Sequence, residues 1–363
     1  MSNVVLNPTG SRVAFADGLR ACAALWVVFY HMSEGKHIAS IKANLPNWLD
    51  TAIFDWGYLG VSIFFVLSGF VMAYTVRQIK VDGKTAGQFL LRRLTRLSPP
   101  YYFTIVVMLI INHFKAKVLG EGMQQIGISD VLAHLVYLQQ LLASSRISSV
   151  FWTLCIEIQF YIAFALLILV ADSKKTSSSQ YARLWVFGTA GIIALLWPAH
   201  ITENVLWRGG FLSYWYSFLV GALVCWGWLE SGKIRVFAGI YCVVVLVFGI
   251  YTQSLFTIIT AFTGILLLLA GMWDAMGKWL SWKWIQFIAL ISYSLYLLHN
   301  PLTGIVFRIV NRWAYPETLN IELIGIILSI LVCIFASWLM FLLIERPSIV
   351  WSHHFSGKPA PKS

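Results

Sequence analysis

The side chains most suited to chemistry are titratable residues set in apolar sequence. Arg20 and His31 stand eleven residues apart in DGLRACAALWVVFYH (Asp17 to His31). Eleven residues make close to three turns at about 3.6 residues per turn, so the guanidinium and the imidazole share a helix face. Asp17, three residues before Arg20, joins them in a polar stripe about 20 Å long. A titratable side chain at membrane depth is expensive unless paired or wetted, which makes each of the three a functional candidate. The plainer reading is an Asp17–Arg20 ion pair and a histidine that marks the helix end, where interfacial histidines cost little.

A second group lies in FLLRRLTRLSPPYY (Phe89 to Tyr102), where Arg93 and Arg96 stand at i, i+3 with Arg92 beside them. Two guanidiniums at that spacing can grip phosphate oxygens bidentately. Taken alone, they read first as anchors at the lipid headgroups. In FWTLCIEIQFY (Phe151 to Tyr161), Thr153, Glu157 and Tyr161 fall on one helix face. A carboxylate at membrane depth needs a partner, and Arg20, His31 and the arginines before the third helix are candidates. SYSLYLLHNP (Ser292 to Pro301) sets Ser292, Tyr296 and His299 at i, i+4, i+7 ahead of a proline able to kink a helix. These residues read as interhelical hydrogen bonding in preference to catalysis.

The elements that must position these groups are membrane helices. The chain is 59% hydrophobic and 11% charged, against about 25% charged in soluble domains. Its apolar residues recur in runs near the ~20 residues that cross a ~30 Å hydrocarbon layer. Runs at 13–33, 56–76, 98–117, 150–171, 184–199, 210–229, 235–251, 254–273, 284–309 and 321–344 predict an all-α bundle of about ten transmembrane helices. An amphipathic stretch at 129–142 is too short to span and reads as re-entrant or interfacial. The first run holds Asp17 and Arg20 and no small-residue cleavage site follows it, so it is a helix of the bundle and not a signal peptide.

One side of this arrangement collects Arg12, the basic cluster from Arg77 to Arg96, Lys174, Lys175, Arg183, Lys233, Arg235, Lys278, Lys283, Arg346, Lys358 and Lys362. The other holds Lys36, Lys42, Lys115, Lys117, Arg146, Arg208, Arg308 and Arg312. The richer side is expected in the cytoplasm, with both termini. The net charge of +11 therefore orients a membrane protein. No basic stripe is interleaved with aromatics in an extramembrane module, so nucleic acid is not an expected partner. The five cysteines lie in apolar runs without CxxC or metal-ligand spacing, and neither a disulfide framework nor a metal is expected. The polar stretch Lys174 to Gln180 reads as a cytoplasmic linker. One domain is expected over 1–345, with a short cytoplasmic tail over 346–363.

Taken together, DGLRACAALWVVFYH, GVSIFFVLSGFVM (Gly60 to Met72), RRLTRLSPPYY (Arg92 to Tyr102), WTLCIEIQFY (Trp152 to Tyr161), SYSLYLLH (Ser292 to His299) and ERP (Glu345 to Pro347) resemble the acyltransferase-3 family of integral membrane acyltransferases. The resemblance runs through most of the chain and lies in the order of these segments. It implies a ten-helix protein of the bacterial inner membrane that moves an acyl group, usually acetyl, from cytoplasmic acyl-CoA to a hydroxyl of a surface polysaccharide or its lipid-linked precursor. O-antigen and exopolysaccharide sugars are the leading acceptors under that reading. It further implies His31 as general base, Arg20 or Glu157 orienting the imidazole or stabilising charge, and Arg92, Arg93 and Arg96 on the CoA phosphates. Asp17, Trp152, Tyr161, Tyr296 and His299 are then supporting or substrate-contacting residues. Direct transfer and an acyl-enzyme relay both remain open.

A transporter is the rival from another class, since buried Arg, His and Glu also line permeation paths. Neither inverted repeats nor paired broken helices stand out in the sequence. A non-catalytic scaffold is the third reading, under which His31 and the arginine pair can be replaced without loss.

Overall fold

The computed structural model describes residues 13–35, 37–119, 125–173, 179–202, 210–230, 232–313 and 318–356. Arg12, Lys36, Lys174, Lys175, Arg208, Lys358 and Lys362, with most of the expected linker and the last residues of the expected tail, lie outside them. The helices in chain order are α1 (Ala14–Glu34), α2 (Ala39–Asn44), α3 (Asn47–Ile53), α4 (Gly60–Thr75), α5 (Gly83–Leu119), α6 (Ile128–Leu135) and α7 (Phe151–Ser173). They continue with α8 (Ser179–Ala194), α9 (Trp215–Glu230), α10 (Gly232–Tyr251), α11 (Leu255–Met272), α12 (Lys283–Trp313), α13 (Leu319–Met340) and α14 (Arg346–Ser352). No strand occurs among the described residues.

Six described helical runs are long and apolar enough to cross a membrane: Asn47–Thr75, Gly83–Lys115, Phe151–Ser173, Gly232–Tyr251, Leu255–Met272 and Leu319–Phe355. α5, α10 and α13 turn rows of large apolar side chains outward, among them Phe103, Ile110, Val243, Val247, Ile327 and Phe335. Continuous exposed rows of that kind face lipid. The protein is therefore a multi-pass membrane protein. The expected runs at 13–33, 184–199, 210–229 and 284–309 are helical but are not in that set, for physical reasons. α1 carries Asp17, Arg20 and His31, and α12 carries Arg308 and Arg312. α8 and α9 have 16 residues each, a rise of about 24 Å against the ~30 Å of hydrocarbon. α9 is buried at every residue from Tyr216 to Gly227 and is enclosed by α4, α8, α10 and α11. A helix apolar on all sides needs that position.

α4 and α9 meet backbone to backbone. A Cβ on Gly69 would lie 1.8 Å from the carbonyl oxygen of Phe218, and one on Gly221 would lie 1.8 Å from that of Val66. Close approach through small residues supplies the van der Waals contact that holds helices together in lipid. It also fixes Ser68, the neighbour of Gly69, against α7. Gly221→Val is expected to push the helices apart at a cost of about 1–3 kcal/mol. The thermal midpoint of the purified protein should fall, and an unchanged midpoint would show that the contact does not set the spacing.

The third helix was expected to begin near residue 98, with the arginines in a loop before it. Instead α5 runs unbroken from Gly83 through Pro99 and Pro100, so Arg92, Arg93 and Arg96 project from a helix. Pro100 has no N–H for the carbonyl of Arg96. Ser348 of α14 lies with its hydroxyl 3.0 Å from that oxygen, and the Tyr293 hydroxyl of α12 donates to the adjacent Leu97 carbonyl at 2.7 Å. Of these two carbonyls only that of Arg96 is freed by Pro100, and a freed carbonyl at membrane depth needs such a neighbour; Tyr293 adds a tie from α12 to α5. The segments RLSPP, SYS and ERPS thus meet at one place. The expected boundary after residue 345 is not a break either. A π turn over Phe341–Glu345 leads straight into α14, whose Ser348, Ile349 and Ser352 are buried. The chain through Ser352 belongs to the helical body.

Candidate active site

α1 and α12 pack along one another and bring two histidines together. His299 is fully buried, with Nδ1 3.1 Å from the Leu295 carbonyl oxygen and Nε2 3.2 Å from His31 Nδ1. His31 Nδ1 is also 3.0 Å from the Val27 carbonyl oxygen, and the two rings cross at 71° with centroids 4.9 Å apart. A carbonyl oxygen only accepts, so these partners assign the hydrogen to Nδ1 in both rings. His299 Nε2 then accepts from His31 Nδ1–H. His31 Nε2 is left unprotonated, with its lone pair available as an acceptor.

That nitrogen faces a cavity of about 680 Å³ whose wall includes His31, Ser149, Asn300 and Glu34, within the size range of small-molecule sites. Ser149 Oγ is 3.5 Å from His31 Nε2, a long contact, and accepts from Asn300 Nδ2 at 2.7 Å. Two aromatic pairs flank the space: Tyr30 with Tyr58, centroids 5.8 Å apart, and Trp152 with Tyr214 at 5.5 Å. Tyr296 also lines it, its hydroxyl 2.8 Å from Thr153 Oγ1 and 3.3 Å from the Val150 carbonyl. Sequence reasoning missed Ser149, Asn300 and Tyr30. Ser149 continues the four-residue step of Thr153 and Glu157 by one turn toward the helix start, and that periodicity was the available signal.

The expected partners of Glu157 are only partly the observed ones. Its Oε1 accepts from Ser68 Oγ at 2.9 Å and from the Tyr161 hydroxyl. Arg93 lies over the Tyr161 ring with Cζ 5.5 Å from the centroid, and its charge bears on Glu157. Arg20 instead pairs with Asp17 at 2.9 Å on the half-exposed face of α1. Neither Glu157 nor Arg20 is a hydrogen-bond partner of His31 among the described residues; His299 stands where an orienting carboxylate was expected. Arg92 and Arg96 are close enough to act on one another and on His353, and the charges of Arg96 and Arg20 reach the buried Glu345, which accepts from Ser294 Oγ at 2.7 Å. Among the described residues Arg92, Arg93 and Arg96 take part in no ion pair. They form a second polar cluster, and the stripe Tyr161, Glu157, Thr153, Ser149 runs from Arg93 toward the cavity.

A knot in the preceding loop holds Ser149 in place. Asp130, at the third position of α6, accepts from Ser144 Oγ at 2.6 Å and from the backbone N–H groups of Ser145 and Gly127, each at 2.9 Å. These donors, the Ser144 hydroxyl first, hold its carboxyl down at about 2. A depressed carboxyl stabilises the fold above its unfolded value of about 3.9, and that contribution is lost as pH falls toward about 2. Amide hydrogen-exchange protection at Ser145 is expected to decay over that acid window, and to be low at every pH in Asp130→Ala. Protection that persists below the window would leave the carboxylate without this role.

The fold and this site are those of a multi-pass membrane protein that holds a histidine pair at the wall of a cavity. Residues 13–342 match the acyltransferase-3 family model, described as an acyltransferase domain, and the chain belongs to that family. It is similar to the putative peptidoglycan O-acetyltransferase YrhL of Bacillus subtilis (strain 168), 24% identical over 371 residues covering 91% of this chain and 54% of that protein. It is also similar to the O-acetyltransferase OatA of Staphylococcus aureus (strain NCTC 8325 / PS 47), 26% identical over 347 residues covering 79% of this chain and 50% of that protein. The peptidoglycan O-acetyltransferase OatA of Listeria monocytogenes is 25% identical over 196 residues, 53% of this chain and 24% of that protein. The chain spans about half the length of the first two relatives. No solved structure matches.

Proposed function

We propose that the protein is an O-acetyltransferase that moves an acetyl group from cytoplasmic acetyl-CoA to a glycan hydroxyl presented in the His31 cavity. The unprotonated Nε2 of His31 on the wall of that aromatic cavity, with only the long Ser149 contact beside it, carries the reading. The acceptor hydroxyl gives its proton to Nε2 as its oxygen attacks the thioester carbonyl. The C–O bond forms, the C–S bond breaks, and the leaving thiolate takes the proton from the same nitrogen. Flat aromatic pairs beside a few polar groups suit a sugar ring, whose faces are apolar and whose edge carries hydroxyls.

Arg92, Arg93 and Arg96, which take part in no ion pair among the described residues, are the groups for the CoA phosphates. Tyr161 and Thr153 are eight residues apart along α7, about 12 Å at 1.5 Å per residue, and Ser149 lies in the turn just before the helix. The phosphopantetheine arm of the donor would bridge that distance along the polar stripe. In this reading the bundle has ten spans in the bacterial cytoplasmic membrane, with both termini and the arginines inside and His31 toward the outer face. The names of the relatives favour a peptidoglycan-type glycan over the O-antigen or exopolysaccharide sugars that the sequence alone suggested.

The test uses the purified protein in lipid nanodiscs with labelled acetyl-CoA and peptidoglycan glycan strands. CoA release that requires the strands, with label on the glycan, is expected. In proteoliposomes, flux of a solute without CoA release would overturn the reading in favour of a transporter. Mass spectrometry of the envelope glycan from a deletion strain should show a missing acetyl group, which names donor and acceptor together.

A further inference from the structure

We propose that His299 is the positioning residue for His31: a neutral imidazole that holds the ring orientation of the base and, with the Val27 carbonyl, keeps its Nδ1 protonated so that proton traffic runs through His31 Nε2. The inference rests on the assignment of His31 as general base. In the familiar triad a buried carboxylate accepts the Nδ1–H of the catalytic histidine and holds its orientation. Here His31 Nδ1–H is shared between the Val27 carbonyl of its own helix, at 3.0 Å, and His299 Nε2 across the interface, at 3.2 Å, and His299 in turn is anchored by its Nδ1–H on the Leu295 carbonyl. His299 has no exposed surface, and its four-residue reach to Leu295 holds the ring to its own helix.

Two consequences follow from this geometry. The chain of donors ends at a backbone carbonyl, which has no proton to pass on. A proton gained at His31 Nε2 therefore leaves only from Nε2, to the thiolate that departs when the C–S bond breaks. Base and acid are one atom, and the donor thioester must come to the cavity itself. The imidazolium formed on the way is stabilised by a neutral acceptor and not by a buried negative charge, so the resting site stays uncharged at membrane depth, where a lone carboxylate is expensive. The titratable groups that face His31 besides His299 are Tyr30 and Glu34 of its own helix, Tyr58, His37 and Tyr296.

The test is a series at position 299 in the full chain. Glutamine places its carbonyl oxygen near the position of the imidazole Nε2, whereas asparagine reaches only as far as Nδ1. His299→Gln is expected to keep at least about a tenth of wild-type kcat, and His299→Asn and His299→Leu to fall about a hundredfold or more with KM for acetyl-CoA unchanged. A second readout needs no acceptor: the pH dependence of His31 carbethoxylation by diethyl pyrocarbonate in nanodiscs, read by mass spectrometry. His299→Asp should move its midpoint upward by about one pH unit or more, because a carboxylate at that distance favours the imidazolium. Equal activity in the Gln and Asn variants, or an unmoved midpoint in His299→Asp, overturns the positioning role while leaving the base assignment intact. Persistent transfer in His31→Ala overturns the base assignment and this inference with it.

Discussion

His31→Ala is expected to lower acyl transfer by about a thousandfold, the middle to upper part of what a positioned general base supplies. The protein should remain folded and inserted. His31 is half-buried at the cavity wall, so its removal enlarges an existing space and does not hollow a packed core. The one group left without its donor is His299 Nε2, at a cost of about 1–3 kcal/mol. Acetyl-CoA affinity should be unchanged, because the arginine group lies at the other end of the α7 stripe. Turnover read as CoA release, alongside acetyl-CoA binding by calorimetry, separates the two effects. A loss of binding in place of turnover would relocate the donor site, and near-normal turnover would take His31 out of the reaction.

The helical class and the segments that matter were legible in sequence because lipid makes a long apolar run a direct record of a membrane segment, and because a charge at membrane depth is rare enough to stand out. Thr153, Glu157 and Tyr161 were placed on one face by spacing alone, and all three turn into the protein to meet Tyr296, Ser68 and Arg93. What the spacing could not supply was the partner across the interface. Periodicity orders residues on one helix, whereas the His31–His299 contact joins residues 268 apart through the packing of α1 on α12. That is why His299 read as generic interhelical bonding and Glu157 as the more plausible support for the imidazole. The proline pair misled for a local reason. The third helix was expected to start at the proline pair, but α5 continues through it, with the Ser348 hydroxyl, distant in sequence, beside the Arg96 carbonyl that Pro100 leaves free. Ser348 and Tyr293, which donates to the adjacent Leu97 carbonyl, tie the ERPS and SYS segments to the helix that carries the arginines.

Asp172→Ala is expected to destabilise the protein by about 3–5 kcal/mol, the largest stability effect in the molecule, by leaving a buried guanidinium without its counter-charge. Asp172 and Arg183 are 2% and 7% exposed and pair through two contacts, Nε to Oδ1 at 2.8 Å and Nη2 to Oδ2 at 2.6 Å. The fork does more than join α7 to α8. Arg183 also donates to the carbonyls of Val76 and Ile79, at 3.0 and 2.6 Å, and Asp172 accepts the backbone N–H of Val81 at 2.7 Å. The turn from α4 into α5 is thereby gripped on both sides, and that turn sets where the arginines of α5 stand. Arg183→Leu should cost a similar amount, since it strands a carboxylate and two carbonyls. In the double variant Asp172→Leu, Arg183→Leu no charge is left unpaired, and about half or more of the lost stability should return, as for other buried pairs replaced by apolar residues. The turn carbonyls stay unsatisfied in it, so KM for acetyl-CoA should remain raised even where the thermal midpoint recovers. Midpoints measured on the purified variants, with KM beside them, test both halves. A double variant as unstable as either single one would mean that the backbone grip, and not the buried charge, is the dominant contribution of this pair.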